Sequence, residues 1–223
     1  MTDKAVSPKK HRIFLIDDHP LVREGLASLI HQQPDLAVCG HAGTWAETLG
    51  AVARLEPDLL IVDLQLPGTS GIELIKTIKK LYPKVLMLVL SMHDEKLYAE
   101  RAVRAGAHGY VMKRETSSRL IGAIYQVLEG KLAISGEAAI SFMAKVAGNR
   151  PPANESPAAL LSDRELEVFR MLGEGSDTRK IANALNISIK TVQAYCARIK
   201  DKLTLDNATE LLREAILWNE NQT

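Results

Sequence analysis

Five polar side chains stand where apolar runs stop. Ile13-Phe14-Leu15-Ile16 ends in the pair Asp17-Asp18, and Leu59 to Val62 ends in Asp63, shortly before a Pro67-Gly68 break. Val85 to Leu90 ends at Ser91, and Gly109 to Met112 ends at Lys113. Three carboxylates brought together repel and raise one another's pKa unless a cation sits among them. An oxygen-only set of this kind suits Mg²⁺, which keeps several waters and accepts a phosphate oxygen. A hydroxyl and an ammonium opposite would hold the remaining oxygens of a phosphoryl group carried on Asp63. Taken singly, Asp63 reads as a solvated rim acid, Ser91 as a strand-end cap and Lys113 as a surface charge. The chemistry therefore depends on whether the fold brings these ends together.

Short apolar runs bounded by turn residues read as buried strands of a parallel sheet, covered on both faces. Such strands are expected at Ile13–Ile16, Leu36 to Gly40, Leu59–Val62, Val85–Leu90 and Gly109–Met112. Between them the spacing predicts helices. The first, opened by Pro20, runs from Leu21 to Gln32 with Leu21, Val22, Leu26, Leu29 and Ile30 at helical spacing. The second spans Thr44 to Leu55, capped by Thr44 with Glu47 three residues on. The third, Ser70 to Leu81, carries Ile72, Ile75, Ile78 and Leu81 on one side. Asp94 to Ala105 is closed by Gly106, and Ser117 to Glu129 is the last. Five strand–helix units in alternation define an α/β doubly wound parallel sheet. Right-handed crossovers put all the strand ends on one edge, where open α/β folds bind ligands.

The chain has 28 basic and 27 acidic residues, so its net charge points to neither nucleic acid nor membrane, and any nucleic-acid site must be a local patch. Aromatics make up 4% of the residues, too few to favour a base-stacking single-strand binder. Cys39 and Cys196 sit in apolar patterns of different segments and read as small core residues rather than a disulfide or metal pair. There is neither a membrane-length apolar run nor the hydrophobic region of a signal peptide at the start, and a cytoplasmic protein is expected.

From Lys131 the pattern loosens. Ser135 to Ala147 has the spacing of a short helix, and the Pro-rich polar stretch 149–157 reads as a tether. The expected domains are thus 11–130, a linker over 131–159 with a short helix, and an all-α unit over 160–223. In the last of these, Ser162 and Glu165 form a capping box ahead of Leu166, Val168, Phe169 and Leu172, and Gly175 ends that helix. A short helix from Thr178 to Leu185, a left-handed turn at Asn186 and a cap at Ser188 make a helix-turn-helix. In the following helix Val192, Cys196, Ile199 and Leu203 form the core stripe. The opposite face carries Lys190, Ala194, Ala197 and Arg198, flanked by Gln193. Small residues amid donors allow the close approach that reading a DNA groove requires. Arg179 to Lys202 holds six basic residues and one acid, whereas 160–223 as a whole holds nine and ten. Positive charge is thus focused on the recognition unit. A last helix is expected from Asn207 to Trp218.

Residues 11–130 resemble the receiver domain of two-component response regulators. The resemblance implies that Asp63 accepts a phosphoryl group from the phosphohistidine of a sensor histidine kinase. It implies that Asp17, Asp18, Asp63 and the backbone carbonyl of Gln65 bind Mg²⁺, that Ser91 and Lys113 meet the phosphoryl oxygens, and that Tyr110 is an aromatic that turns inward when Ser91 moves. Arg114 stands where many receivers have a proline with a cis bond. The second half resembles the LuxR-type helix-turn-helix through LSDRELEV, Glu174-Gly175, KIANAL and SIKTVQAYCARIKDKL, and the whole chain resembles regulators of the NarL/FixJ group. By that resemblance Gln193, Ala194 and Ala197 contact bases, while Lys190, Thr191, Arg198 and Lys202 contact phosphates. Tyr195 replaces a usual histidine, and Ala208 an arginine that often supports the final helix.

The expectation is a non-enzymatic, phosphorylation-switched transcription regulator that binds double-stranded DNA; phosphorylation would remodel its receiver face around the fourth and fifth units, favouring a homodimer or releasing the DNA-binding domain. Three rivals differ in class. An aspartyl phosphatase uses the same strand-end acid but carries a second acid two residues on, where this chain has Gln65. A signalling adaptor would leave the focused basic charge without a role. A constitutive regulator would not need the acidic cluster.

Overall fold

In a computed structural model the chain is described over residues 10–66, 69–146 and 157–221. These form two compact units, residues 10–66 with 71–142 and residues 143–146 with 157–221. The first is built from β1 (His11–Ile16), α1 (Pro20–His31), β2 (Leu36–Ala42), α2 (Trp45–Leu55), β3 (Leu59–Val62), the two-residue strands β4 (Gln65–Leu66) and β5 (Thr69–Ser70), α3 (Gly71–Leu81), β6 (Leu86–Ser91), α4 (Glu95–Ala105), β7 (Gly109–Met112), α5 (Ser117–Leu128) and the start of α6 (Gly136–Val146).

The main sheet is five-stranded and parallel, in the order β2-β1-β3-β6-β7. This is the doubly wound arrangement expected from the alternation, with the order reversing next to β1. Ile13, Phe14, Leu15 and Ile16 of β1 and all of β3 are buried, as strands covered on both faces must be. One core layer joins Ile13, Leu15, Leu59, Ile61, Leu88 and Val111 to Ile30 of α1 and Leu120, Ile124 and Val127 of α5.

Helix ends follow local chemistry. Thr44 accepts from the Glu47 N–H, but the Glu47 carboxylate returns to the Gly43 N–H rather than to Thr44, so the box closes one residue early. Asp94 caps α4 through the Lys96 N–H, and Gly106 ends it at φ 118°, a left-handed conformation that costs glycine nothing. All described peptide bonds are trans, including that between Lys113 and Arg114.

Two expected core residues face water. Leu21 is 82% exposed and Leu81 53%. Each lies nine residues from a buried isoleucine of its own helix, Ile30 and Ile72, and nine steps at about 100° amount to half a turn. Leu74 is buried on α3 instead of Leu81. Cys39 and Cys196 are free thiols, half-buried rather than in the core, and burial raises both above the ordinary thiol range.

The second unit contains α7 (Pro157–Leu160), α8 (Asp163–Gly173), α9 (Thr178–Ala184), α10 (Ile189–Leu203) and α11 (Ala208–Glu220). The tether expected over 149–157 lies, except for Pro157, outside the described residues. The short turn α7 was not legible as a helix. The Ser162–Glu165 box is complete, and Asn186 takes the left-handed conformation at φ 50°. The core is Leu166, Val168, Phe169, Ile181, Val192, Ile199, Leu211, Ala215 and Trp218, with the Phe169 and Trp218 rings 5.7 Å apart and tilted by 55°.

At Gly173, α8 and α11 meet so closely that an added Cβ would lie 2.3 Å from the Ala215 carbonyl oxygen and 2.6 Å from Asn219 Nδ2. That amide donates to the Arg170 carbonyl at 2.9 Å. A backbone oxygen cannot swing aside as a side chain can. Gly173→Ala is therefore expected to destabilise the second unit by about 1–3 kcal/mol, despite alanine's better helix propensity. Urea unfolding followed by circular dichroism would show it; an unchanged midpoint would mean that the two helices slide apart freely.

Candidate functional site

The register of the sheet determines which side chains meet. Ile16 pairs with Val62, so the residues that follow, Asp17 and Asp63, leave adjacent strands side by side. Ser91 pairs with Met112, and the Lys113 N–H donates to the Ser91 carbonyl at 2.8 Å. The Lys113 ammonium spans the gap: Nζ lies 2.6 Å from Asp17 Oδ2 and 2.6 Å from Asp63 Oδ2. Both acids are 2% exposed. A buried carboxylate survives only if paired and hydrogen-bonded. Asp63 Oδ1 accepts the Gln65 N–H at 3.1 Å, and Asp17 Oδ1 the His19 N–H at 2.8 Å. Arg23 Nη1 donates to the Asp17 carbonyl at 2.6 Å.

Burial raises the Asp63 carboxyl above its usual range, more than the Lys113 charge, the Lys113 hydrogen bond and the Gln65 N–H lower it. Burial alone would lower the Lys113 ammonium, but the two carboxylates outweigh that and hold it above the usual lysine value. One ammonium does not balance two carboxylates, and Asp18 adjoins as a third, so the site is negative with all three ionised. Asp17, Asp18, His19 and Asp63 offer ligand atoms within 4.8 Å of one another. Asp18 Oδ1 is buried and accepts no hydrogen bond. The polar neighbour of that oxygen is the His19 imidazole, 2.8 Å away. Carboxylates that outnumber the fixed cations beside them are the arrangement a divalent cation completes, so the residues fit one.

The two expected switch residues converge on one partner. Ser91 Oγ accepts the His93 N–H at 3.2 Å, and the Tyr110 hydroxyl donates to the His93 carbonyl at 2.9 Å. Tyr110 is fully buried, its ring turned inward, and burial pushes its hydroxyl far above the usual tyrosine range even against the Ser91 hydrogen bond. His93 was not singled out from the sequence, and neither was His19; the signal for His19 was its position directly after the acid pair.

In the second unit α10 buries Val192 and Ile199, while Cys196 and Leu203 of the expected stripe are half-buried. Lys190, Gln193, Ala194, Ala197, Arg198 and Lys202 are all exposed. Thr191 is half-buried and belongs to the helix cap: its N–H donates to Ser188 Oγ at 3.0 Å, and the two hydroxyls are 2.7 Å apart.

The focusing of charge needs one correction. Glu165, outside the stretch counted, holds two of its cations: Lys202 Nζ lies 2.7 Å from Oε2 and Arg198 Nε 3.3 Å from Oε1. The Arg198 guanidinium also sits 4.6 Å above the Tyr195 ring. Sequence spacing could not place Glu165 against α10, because the contact crosses between helices. Burial favours protonation of Glu165, yet the Lys202 hydrogen bond and the Ser162 cap N–H and hydroxyl outweigh it and bring its pKa down to about 2. A depressed folded-state pKa stabilises above the unfolded value and is lost as pH falls through the folded one. Acid titration is expected to weaken the second unit from about pH 4.5 down to about 2. Glu165→Gln should flatten that part of a stability–pH curve; an identical slope in both proteins would contradict the assignment.

The receiver domain family of response regulators matches residues 13–125, and the bacterial regulatory proteins of the luxR family match residues 159–215. The chain is 33% identical over 199 residues to the DNA-binding transcriptional activator DevR/DosR of Mycobacterium tuberculosis, covering 89% of this chain and 91% of that one. It is 33% identical over 209 residues to the oxygen regulatory protein NreC of Staphylococcus carnosus, covering 92% and 96%. A structure of RcsB from Salmonella enterica serovar Typhimurium, bound to promoter rprA in the presence of the phosphomimetic BeF3-, superposes with a TM-score of 0.62 at 26% identity, covering 93% of this chain and 99% of that one.

Fold and site thus define a receiver joined to a helix-turn-helix. The chain belongs to the NarL/FixJ group of response regulators, whose receiver domain is followed by a LuxR-type DNA-binding domain, and it is a DNA-binding transcription regulator. Among the described residues no helix is long and apolar enough to cross a membrane.

Proposed function

We propose that this regulator is switched by a phosphoryl group taken onto Asp63 from the phosphohistidine of a sensor histidine kinase. The observation that carries the reading is the Lys113 ammonium set 2.6 Å from both Asp17 and Asp63. The bond between phosphorus and the kinase imidazole nitrogen breaks as one forms to an Asp63 carboxylate oxygen. Lys113 neutralises charge on the phosphoryl oxygens, and the Gln65 N–H orients the carboxylate. Asp17, Asp18, Asp63 and the Gln65 carbonyl would hold Mg²⁺, which when bound draws a phosphoryl oxygen and offsets the acids' mutual repulsion. Gln65 is no acid, so the site lacks the general acid/base of an aspartyl phosphatase, and we read the chain as a non-enzyme.

Ser91 reaches the phosphoryl group by turning its hydroxyl from His93. Because Tyr110 holds the same residue through its carbonyl, the movement passes into the segment leading to α4. The receiver, residues 11–130, then favours a homodimer or frees the DNA-binding domain, 160–223, across the linker 131–159. That domain sets Gln193, Ala194 and Ala197 against base edges of double-stranded DNA and Lys190, Thr191, Arg198 and Lys202 against phosphates. The protein works in the cytoplasm, where both partners are.

Duplex affinity and sedimentation mass, measured with and without beryllofluoride and Mg²⁺, test the switch. Coupling between two sites is commonly 5- to 150-fold, and a gain of about that size is expected. A steep fall with salt is expected for the duplex itself. If beryllofluoride changes neither quantity, the switch fails while duplex binding stands.

A further inference from the structure

We infer that Glu165 is a positioning residue for DNA recognition: it ties Arg198 and Lys202 to one buried point, so that they meet phosphates in a single register instead of attracting any duplex. The inference rests on the reading of those two cations as phosphate contacts. Glu165 Oε2 accepts the Ser162 N–H at 2.8 Å and Lys202 Nζ at 2.7 Å, and Oε1 lies 3.3 Å from Arg198 Nε. The Glu165 side chain is 4% exposed, whereas those of Arg198 and Lys202 are 51% and 41% exposed. A carboxylate fixed in the wall of the unit thus reaches two side chains that face solvent.

The helix cap does not require the charge. Glutamine serves at the third position of a capping box as glutamate does. A buried carboxylate costs desolvation that the cap alone would not demand, and the two cations offset it. Arg198 and Lys202 stand at i and i+4 on α10, where like charges repel, and the shared acid weakens that repulsion. Arg198 is held from a second side, its guanidinium 4.6 Å above the Tyr195 ring. With Nε directed at Glu165 and one face on the ring, it offers a phosphate the edge that carries its two Nη atoms. That fork binds two oxygens at once, and an oriented fork distinguishes a fixed contact from a floating charge. The trio also carries one net positive charge instead of two, which weakens the sequence-independent pull on any phosphate backbone.

Glu165→Gln keeps the cap and removes the counter-ion. Full-length protein, with beryllofluoride and Mg²⁺ present throughout, is titrated into two probes: a duplex that the wild type selects from a random-sequence library, and a mixed-sequence duplex. In Glu165→Gln the mixed duplex is expected to bind more tightly. Its plot of log affinity against log salt should steepen by about 1, for one further phosphate neutralised. The ratio of selected to mixed affinity is expected to fall on the order of tenfold, the scale of one misplaced contact in a site. Ser162→Ala disturbs the same cap but leaves the carboxylate, so it should lower the urea midpoint and leave ratio and salt slope unchanged. Equal ratio and salt slope in wild type and Glu165→Gln would overturn the inference and leave the acid a structural counter-ion. A ratio lowered as much by Ser162→Ala would assign the effect to the cap and overturn it likewise. If Arg198→Ala and Lys202→Ala bind both duplexes as the wild type does, the phosphate reading falls and the inference falls with it.

Discussion

Asp63→Asn is expected to abolish phosphoryl uptake from acetyl phosphate. The amide has the carboxylate's shape but neither its charge nor a nucleophilic oxygen, so no phosphorus–oxygen bond forms at this position. Lys113 keeps Asp17 as a partner at 2.6 Å, so its charge stays compensated. Burial already disfavours the charged form of Asp63, and a neutral group there removes that penalty along with the ion pair. The variant should therefore fold, and the loss can be read as chemical. Intact-mass measurement after incubation with acetyl phosphate and Mg²⁺ is decisive: one added phosphoryl group in wild type, none in the variant. Labelling of Asp63→Asn to the wild-type extent would place the acceptor elsewhere and undo the mechanism from its first step.

The second large effect lies in the other unit. Phe169→Ala is expected to cost about 3–5 kcal/mol, the usual range for deleting a buried aromatic. Phe169 is fully buried at the centre of α8, against Trp218 of α11. A core of this size rarely supplies more than about 3–5 kcal/mol in total. The substitution should therefore unfold the second unit and remove duplex binding, while Asp63 of the first unit, with its own core, still takes a label. Circular dichroism of the full chain would show partial loss of helix, and a mobility-shift assay no complex. Wild-type duplex affinity in Phe169→Ala would mean that DNA contact does not depend on this core. Joint loss of labelling would mean that the two units do not fold independently.

The receiver's architecture was legible because its signals are local. A strand covered on both faces must be apolar along its whole length, and β1, β3 and β6 announce themselves that way; the turn residues and caps at Thr44, Asp94 and Gly106 mark where the helices start and stop. The helix-turn-helix was legible for the same reason, through Ser162, Asn186 and Ser188. Periodicity failed where it was carried too far: Leu81 keeps a three-residue step from Ile78, but over the nine residues from Ile72 the face has turned to solvent, and Leu21 has Glu24, Gly25 and Ser28 at its helical steps and stands on the outer face.

By itself, the order of residues determined the fold class, the strand ends that bear chemistry, and which face of α10 is exposed. All three follow from near-neighbour sterics and hydrophobic period, which act within a few residues. Only the tertiary structure decided that Lys113 holds Asp17 and Asp63 alike, that Ser91 and Tyr110 share His93, that His19 closes on the acid pair, and that Glu165 occupies Arg198 and Lys202. Those contacts depend on sheet register and helix packing. Charges far apart along the chain are ordered in space by the core beneath them, and no local pattern records which of them will share a partner.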